Sequence, residues 1–168
     1  GHLVFGLCNI YGTLNPLFPS AIWINELDEC GQVSDFTWLP NGYFVENTPL
    51  LKYKKEACKT IGGRVAEYVL NNRRRPNFIY SEEDVDSGSD LLKYNQLIGK
   101  LMKLETGVSA NPDNEKLRIT YTEEIWNACV RYLLLNQNAI KAIKYVSFSL
   151  RQNNKIKAQQ FNFPIKYH

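Results

Sequence analysis

Apolar and polar residues alternate along the first fifty positions, in short stretches that turn residues separate. Alternation with a period of two is typical of strands, because successive side chains point to opposite faces of a sheet. Pro40-Asn41-Gly42 is a strong turn signal within this region. The pattern predicts an antiparallel meander of four strands at Leu3–Tyr11, Ala21–Leu27, Val33–Leu39 and Tyr43–Glu46.

After Pro49 the apolar residues recur every three or four positions, as they do on one face of a helix. The residues with this spacing are Leu50, Tyr53, Ala57, Ile61, Val65 and Val69. They predict a helix that continues to Asn72. Gly62 and Gly63 lie inside it, and two interior glycines cost about 2 kcal/mol relative to alanine. We therefore expect the helix to break at these glycines.

A second helix is predicted between Ser89, a suitable N-cap, and Gly107, a suitable stop. Its apolar face contains Leu91, Tyr94, Ile98, Leu101 and Met102. Between the two helices, Arg73–Arg75 end the first helix ahead of Pro76, because the residue before a proline disfavours helical backbone. Asn77–Tyr80 is predicted to form a short strand.

The last third of the chain returns to alternation around one long helix. Leucine, isoleucine and tyrosine alternate with polar residues over Lys116–Thr122, which predicts a half-buried strand. A helix follows from Glu123 to about Tyr145. Val146, Phe148 and Leu150 alternate with serines, and Asn153-Asn154 is a turn signal. We therefore expect a C-terminal hairpin whose second strand lies in Lys155–Phe163.

Strands at both ends with helices between them predict an α+β fold. In this fold a mainly antiparallel sheet, made of the N-terminal meander and the C-terminal hairpin, packs against about three helices. The 168 residues contain no linker long enough to divide the chain, so residues 1–168 are expected to form a single domain. Gly1-His2 resembles a cloning remnant, which suggests a domain taken from a longer protein.

The sequence also favours an intracellular location, in the cytoplasm or the nucleus. It contains no run of about 18 apolar residues and no signal peptide, so we expect no membrane contact. The four cysteines include no Cys-x-x-Cys pair, which argues against a zinc ribbon or a thioredoxin-like site. Cys58 and Cys129 lie on the apolar faces of predicted helices, where free cysteine behaves as a small hydrophobic residue.

The positions of the histidines exclude several classes of enzyme. The chain has two, His2 and His168, and both lie at its ends. A terminal imidazole is not held rigidly against a nucleophile or a metal ion. Asp84, Asp86 and Gly88 are spaced similarly to part of a calcium loop, but Asn95 stands where that loop needs glutamate. We therefore expect no catalytic residue, no metal and no cofactor.

One segment could nevertheless hold phosphates. The backbone amides of Thr60–Arg64 would suit an anion if a helix began there. Its Gly62-Gly63 pair resembles the cofactor loop of the GNAT acetyltransferases, although the glutamine or arginine that opens the family motif is replaced by Ala57 or Cys58. The resemblance implies an acyl-CoA-dependent acetyltransferase, which is our third hypothesis. A simple helix junction is the favoured interpretation.

Charge is distributed unevenly along the chain. Residues 1–51 contain five acidic and no basic residues, residues 52–75 contain eight basic and two acidic ones, and residues 125–168 contain seven basic and no acidic ones. Two basic segments brought together would suit a phosphate backbone. The residues predicted to contact nucleic acid are Lys52, Lys55, Lys59, Arg73, Arg74, Arg75, Arg151, Lys155 and Lys157. Exposed aromatic residues such as Tyr145 could add base stacking.

The leading functional hypothesis is a non-catalytic binding module that contacts nucleic acid, RNA more than DNA. Asn41–Val45 is similar to the aromatic strand of RNA-recognition motifs, without its leading basic residue. Two alternatives remain open. The acidic strands could neutralise the basic segments within the protein, or the domain could bind a protein partner in a larger assembly.

Overall fold

A computed structural model describes residues 5, 17–19, 21–25, 30–33, 36–38, 49–76, 78, 90–153 and 155–157. Four long helices account for most of these residues: α1 (Pro49–Asn71), α2 (Asp90–Thr106), α3 (Glu115–Leu135) and α4 (Gln137–Asn153). A 3₁₀ turn at Pro112–Asn114 directly precedes α3. In this part of the chain, α1 packs against α2 and α3, and α3 also packs against α2 and α4.

The strands that the structure describes are short. They are β1 (Leu17–Pro19), β2 (Ala21–Asn25), β3 (Cys30–Val33), β4 (Phe36–Trp38) and β5 (Lys155–Lys157). β1 and β4 form an antiparallel pair. β2 lies between β3 and β5 in a second antiparallel sheet, with Ile22 opposite both Val33 and Ile156. Residues from both ends of the chain therefore meet in this sheet.

The prediction of a mainly antiparallel sheet with helices packed against it is wrong. The four helices contain 17 to 23 residues each, whereas the strands contain three to five. Phe78 is the one non-helical residue among the buried apolar side chains that the structure describes. The described part of the protein is therefore a helical assembly to which short strands are added.

The centre of the core is aromatic. Trp126 of α3 is 1% exposed, and the rings of Tyr68 and Phe78 meet it edge-on at centroid distances of 5.6 and 5.3 Å. The hydroxyl of fully buried Tyr94 donates a hydrogen bond of 2.8 Å to the carbonyl of Thr122, which links α2 to α3. Cys58 and Cys129 are buried and form no disulfide with a described residue, as expected from their positions on apolar helix faces.

The beginning of α3 overturns the predicted strand at Lys116–Thr122. The buried residues of α3 are Arg118, Thr122, Ile125, Trp126, Cys129 and Leu133, which follow one another at helical spacing. Two members of this stripe are polar, so the apolar residues alone did not reveal it. Their burial requires polar partners inside the protein, which Arg118 finds in α2, in α3 and in the segment that contains Phe78.

The predicted helix from Glu123 to about Tyr145 is divided in two at Asn136. The side-chain oxygen of Asn136 accepts a hydrogen bond of 3.1 Å from the backbone N–H of Ala139, which caps the start of α4. α4 then continues to Asn153, so Val146–Leu150 is helical. The predicted C-terminal hairpin is wrong for this reason, and β5 pairs with β2 instead.

The predicted break at Gly62 and Gly63 is also wrong, because α1 is continuous from Pro49 to Asn71. Asn72 follows its last residue, and the φ of Asn72, 52°, lies in the left-handed region that closes many helices. Thr60–Arg64 lies inside the helix and therefore provides neither a helix start for an anion nor the loop of an acetyltransferase.

Other predicted elements lie partly or wholly outside the described residues. Within Leu3–Tyr11 the structure describes Phe5, which is helical and not a strand residue. Within Asn77–Tyr80 it describes Phe78, which is not in a strand. The predicted strand at Tyr43–Glu46 and the segment that resembles a calcium loop fall outside. The end of α2 agrees with its predicted stop, since Gly107 follows Thr106 with a φ of 74°.

Candidate nucleic-acid interface

Of the three predicted contact residues in the first half of α1, one is buried, one is paired with an acidic residue and one is exposed. Lys55 is 3% exposed and is therefore buried. The Lys59 ammonium lies 2.6 Å from the carboxylate of Glu56, one turn earlier in the same helix. Lys52 is exposed. This end of α1 consequently offers less positive charge than its composition indicates.

The three arginines that follow α1 are exposed, but acidic residues accompany two of them. Arg73 lies 3.4 Å from the carboxylate of Glu67. Arg75 lies 3.0 Å from that of Glu123 in α3, and its guanidinium also lies 5.4 Å from the ring centroid of Phe78. Arg74 makes no ion pair with a residue that the structure describes. Part of this basic run therefore attaches the end of α1 to the rest of the protein.

The predicted α1 residues do not form one compact patch. Lys52 lies near the start of a continuous helix of 23 residues, and Arg73 lies just beyond its end. At a rise of 1.5 Å per residue, the helix from Lys52 to its last residue, Asn71, is about 28 Å long. A ligand would have to extend along the whole helix to contact both.

α4 presents a different arrangement, because basic and aromatic side chains share its exposed surface. We call this surface the α4 basic face, and it consists of Lys141, Lys144, Tyr145, Phe148 and Arg151, all exposed. These residues follow one another at intervals of one or three positions, so they lie close together on the helix. Tyr145 is 48% exposed and Phe148 is 64% exposed.

No acidic residue occurs between position 125 and the end of the chain, so α4 contains none. Within the described parts of the protein, none of the three cations of the α4 basic face makes an ion pair. Their charge is therefore more available to an anionic ligand than that of Arg73, Arg75 or Lys59.

The opposite side of α4 holds this face in place. Ala139, Ala142 and Ile143 are buried in the core that α4 shares with α3. Asn136 fixes the start of the helix through its cap. β5 begins shortly after the end of α4 with the exposed Lys155, and it includes Lys157. Of the predicted contact residues, Arg151, Lys155 and Lys157 thus lie together in sequence at this end of the protein.

Searches against protein-family models, curated proteins and solved structures found no match. Across the parts that the structure describes, no cluster of three histidine, cysteine, aspartate or glutamate residues is arranged to hold a metal ion. None of the described helices combines the length and the hydropathy needed to span a bilayer.

The sequence-based prediction of contact residues omitted Lys141, Lys144 and Phe148. The predicted strand at Val146–Leu150 concealed the helical spacing that joins Phe148 to Tyr145, because alternation places residues three apart on opposite faces. The usable signal was an acid-free segment in which basic and aromatic residues recur at helical intervals.

A second polar cluster joins α1, α2 and α3. The hydroxyl of Tyr121 donates a hydrogen bond to the carboxylate of Glu105, and the ammonium of Lys54 lies 3.1 Å from the same carboxylate. The hydrogen bond from Tyr121 is the main cause that lowers the pKa of Glu105, and the same bond raises the pKa of Tyr121 to about 12. Because Lys54 is engaged here, it adds little to an anion-binding surface.

Replacing Tyr121 by phenylalanine tests this cluster through the pH dependence of stability. A pKa raised in the folded state adds stability that is fully present below the unfolded pKa of about 10 and is lost as the pH rises through about 12. We expect the wild type to be more stable than Tyr121→Phe at about pH 8, and this difference to shrink between about pH 10 and 12. Urea unfolding at several pH values measures it, and a constant difference would contradict the hydrogen bond.

Proposed function

We propose that this chain is a non-catalytic binding module that contacts nucleic acid, RNA more than DNA, through the α4 basic face. The observation that supports this most is the set of exposed cations at Lys141, Lys144 and Arg151, in a helix that contains no acidic residue. Such cations bind phosphates by releasing counterions, without reading sequence. Lys155 and Lys157, which follow α4, extend the same charge.

The two exposed rings of this face favour a nucleic acid with unpaired bases, which RNA presents more often than DNA. Cations alone bind both polymers, since both carry phosphates. Proteins that recognise RNA commonly target unpaired bases, which aromatic side chains can stack upon. Tyr145 and Phe148 provide such rings beside the cations. RNA binding also fits the proposed location in the cytoplasm or the nucleus, which the buried cysteines Cys58 and Cys129, outside any disulfide among the described residues, favour.

The salt dependence of affinity tests this proposal. For three cation–phosphate contacts with a single strand, the logarithm of the association constant is expected to fall against the logarithm of salt concentration with a slope of about −2. Lys141→Gln should reduce the steepness of this slope by about 0.7. Fluorescence anisotropy with a labelled oligouridylate measures both, with Lys93→Gln on the exposed surface of α2 as the control. The absence of binding at low salt would refute the proposal.

A protein partner is the second candidate, and one observation favours it. Leu134 and Leu135, at the end of α3, are 59% and 79% exposed. Exposed apolar side chains that are adjacent in this way are common in protein interfaces. These leucines lie outside the α4 basic face, so a partner bound there would use a different surface.

A further inference from the structure

We propose that Tyr145 and Phe148 each stack on an unpaired base, so that the α4 basic face binds single-stranded RNA and discriminates against a duplex. This inference rests on the proposed function, because it requires that the same face bind nucleic acid. It adds that the bound nucleic acid is single-stranded, which the cations alone do not determine because they bind the phosphates of single strands and duplexes alike.

The exposure of the two rings is the first observation. Among the aromatic side chains that the structure describes, Phe148 and Tyr145 are the most exposed, at 64% and 48%. Tyr94 and Trp126, also on helices, are 0% and 1% exposed. Neither Tyr145 nor Phe148 contacts another described ring. Both rings are thus available to stack on a ligand.

The spacing of the rings and the cations is the second observation. Tyr145 and Phe148 are three residues apart, which places their Cβ atoms about 5–6 Å apart on one side of the helix. Lys141 lies one turn before Tyr145, and Arg151 lies one turn after Phe148. Phosphates on either side of two stacked bases would therefore meet a cation at each end of the ring pair.

A duplex cannot use this arrangement in the same way. Its bases are already paired and stacked, so the rings of Tyr145 and Phe148 would face the sugar–phosphate backbone. Single strands expose base faces, and aromatic stacking on them tolerates any sequence because every base has a π-face. The ring pair thus favours unpaired bases without selecting a sequence.

An anionic membrane surface is the rival ligand, since aromatic and basic residues also occur on helices that bind lipid headgroups. Such helices insert an extensive apolar face into the interface. The apolar residues Ala139, Ala142 and Ile143 of α4 are buried in the protein core instead. Tyr145 and Phe148 are the exposed apolar side chains of α4 that would insert, while Ile140, Val146 and Leu150 are half-buried, which makes the nucleic-acid ligand the better match.

The test compares three labelled probes of equal length: single-stranded oligouridylate, duplex RNA, and a single strand with abasic sites. We expect the wild type to prefer the oligouridylate. Tyr145→Leu and Phe148→Leu should each weaken that binding roughly five-fold or more, without changing the salt slope and with little effect on the other two probes. Tyr145→Phe, which keeps the ring, and Leu104→Ala, at an exposed apolar residue of α2, should bind as the wild type does.

Two results would overturn the inference, and they separate it from the proposed function. If all three probes bind equally, with normal salt dependence and no effect of the leucine substitutions, stacking is refuted while phosphate binding stands. If no probe binds at low salt, both are refuted. Cosedimentation with phosphatidylserine vesicles in the absence of oligonucleotide binding would also refute both and would identify the membrane as the ligand.

Discussion

Replacing Arg118 by leucine is expected to lower the free energy of unfolding by about 3–5 kcal/mol. Arg118 is 5% exposed, and its guanidinium makes hydrogen bonds with both carboxylate oxygens of Glu115. It also donates to the side-chain oxygen of Asn95 at 3.2 Å and to the carbonyl of Phe78 at 2.6 Å. Leucine would leave these acceptors without their donor, and an unsatisfied buried polar group is costly.

Arg131→Leu is the matched control, because Arg131 lies on the same helix but is exposed. A change at an exposed site without such contacts usually alters stability by less than about 0.5 kcal/mol. The shift of the urea midpoint at an unchanged slope measures both variants. Equal stability of the two variants would show that Arg118 does not connect α2, α3 and the Phe78 segment in this way.

The helices α1 and α2 could be predicted because local signals agree with their packing. Apolar residues at helical spacing form one buried face in each, and Gly107 marks the end of α2. Gly62 and Gly63 of α1 wrongly indicated a break in the helix. Gly62 is buried inside the helix, and packing against α2 and α3 outweighs the intrinsic cost of glycine there.

The start of α3 and the end of α4 could not be predicted, for two different reasons. In α3 the buried stripe includes Arg118 and Thr122, whose polar side chains are satisfied by tertiary contacts that no local pattern shows. In α4 the apolar residue Phe148 is exposed. Because this exposed residue is apolar, Val146, Phe148 and Leu150 alternate with polar residues as they would in a strand, although the segment is helical. The second failure coincides with the candidate site, where function is expected to override local rules.

The candidate site could be predicted as a property of the C-terminal segment but not residue by residue. Counting charges located an acid-free region, and that composition still supports the proposal. Counting could not show that Lys55 is buried, or that Arg75 meets Glu123 from another helix. Ion pairs between residues distant in sequence depend on the tertiary structure. The sequence alone therefore could not show how much positive charge α1 and the arginines after it offer to a nucleic acid.

Reversing the charge of Lys141, Lys144 and Arg151 together is expected to have the largest effect on binding. Each glutamate removes a cation–phosphate contact and places an anion in its position. Affinity that arises from phosphates is modest at physiological salt, with dissociation constants of about 10⁻⁴–10⁻⁶ M. The triple reversal should therefore make binding undetectable there. Because the three side chains are exposed, we expect the fold to tolerate the change.

Two further triple reversals separate the α4 basic face from net charge and from the end of α1. Lys93, Lys103 and Lys116 are exposed on α2 and α3, and their reversal to glutamate changes the net charge by the same amount. Reversal of Arg73–Arg75 measures the contribution of the basic run after α1, although it also removes the ion pairs with Glu67 and Glu123. Circular dichroism establishes that each variant is folded.

The affinity of these three reversals for labelled oligouridylate is measured side by side at low and at physiological salt. We expect the α4 variant to lose binding, the α2 and α3 variant to retain most of it, and the Arg73–Arg75 variant to be intermediate. Equal losses in all three would show that net charge alone governs binding. Retained binding in the α4 variant would show that the α4 basic face is not the nucleic-acid interface.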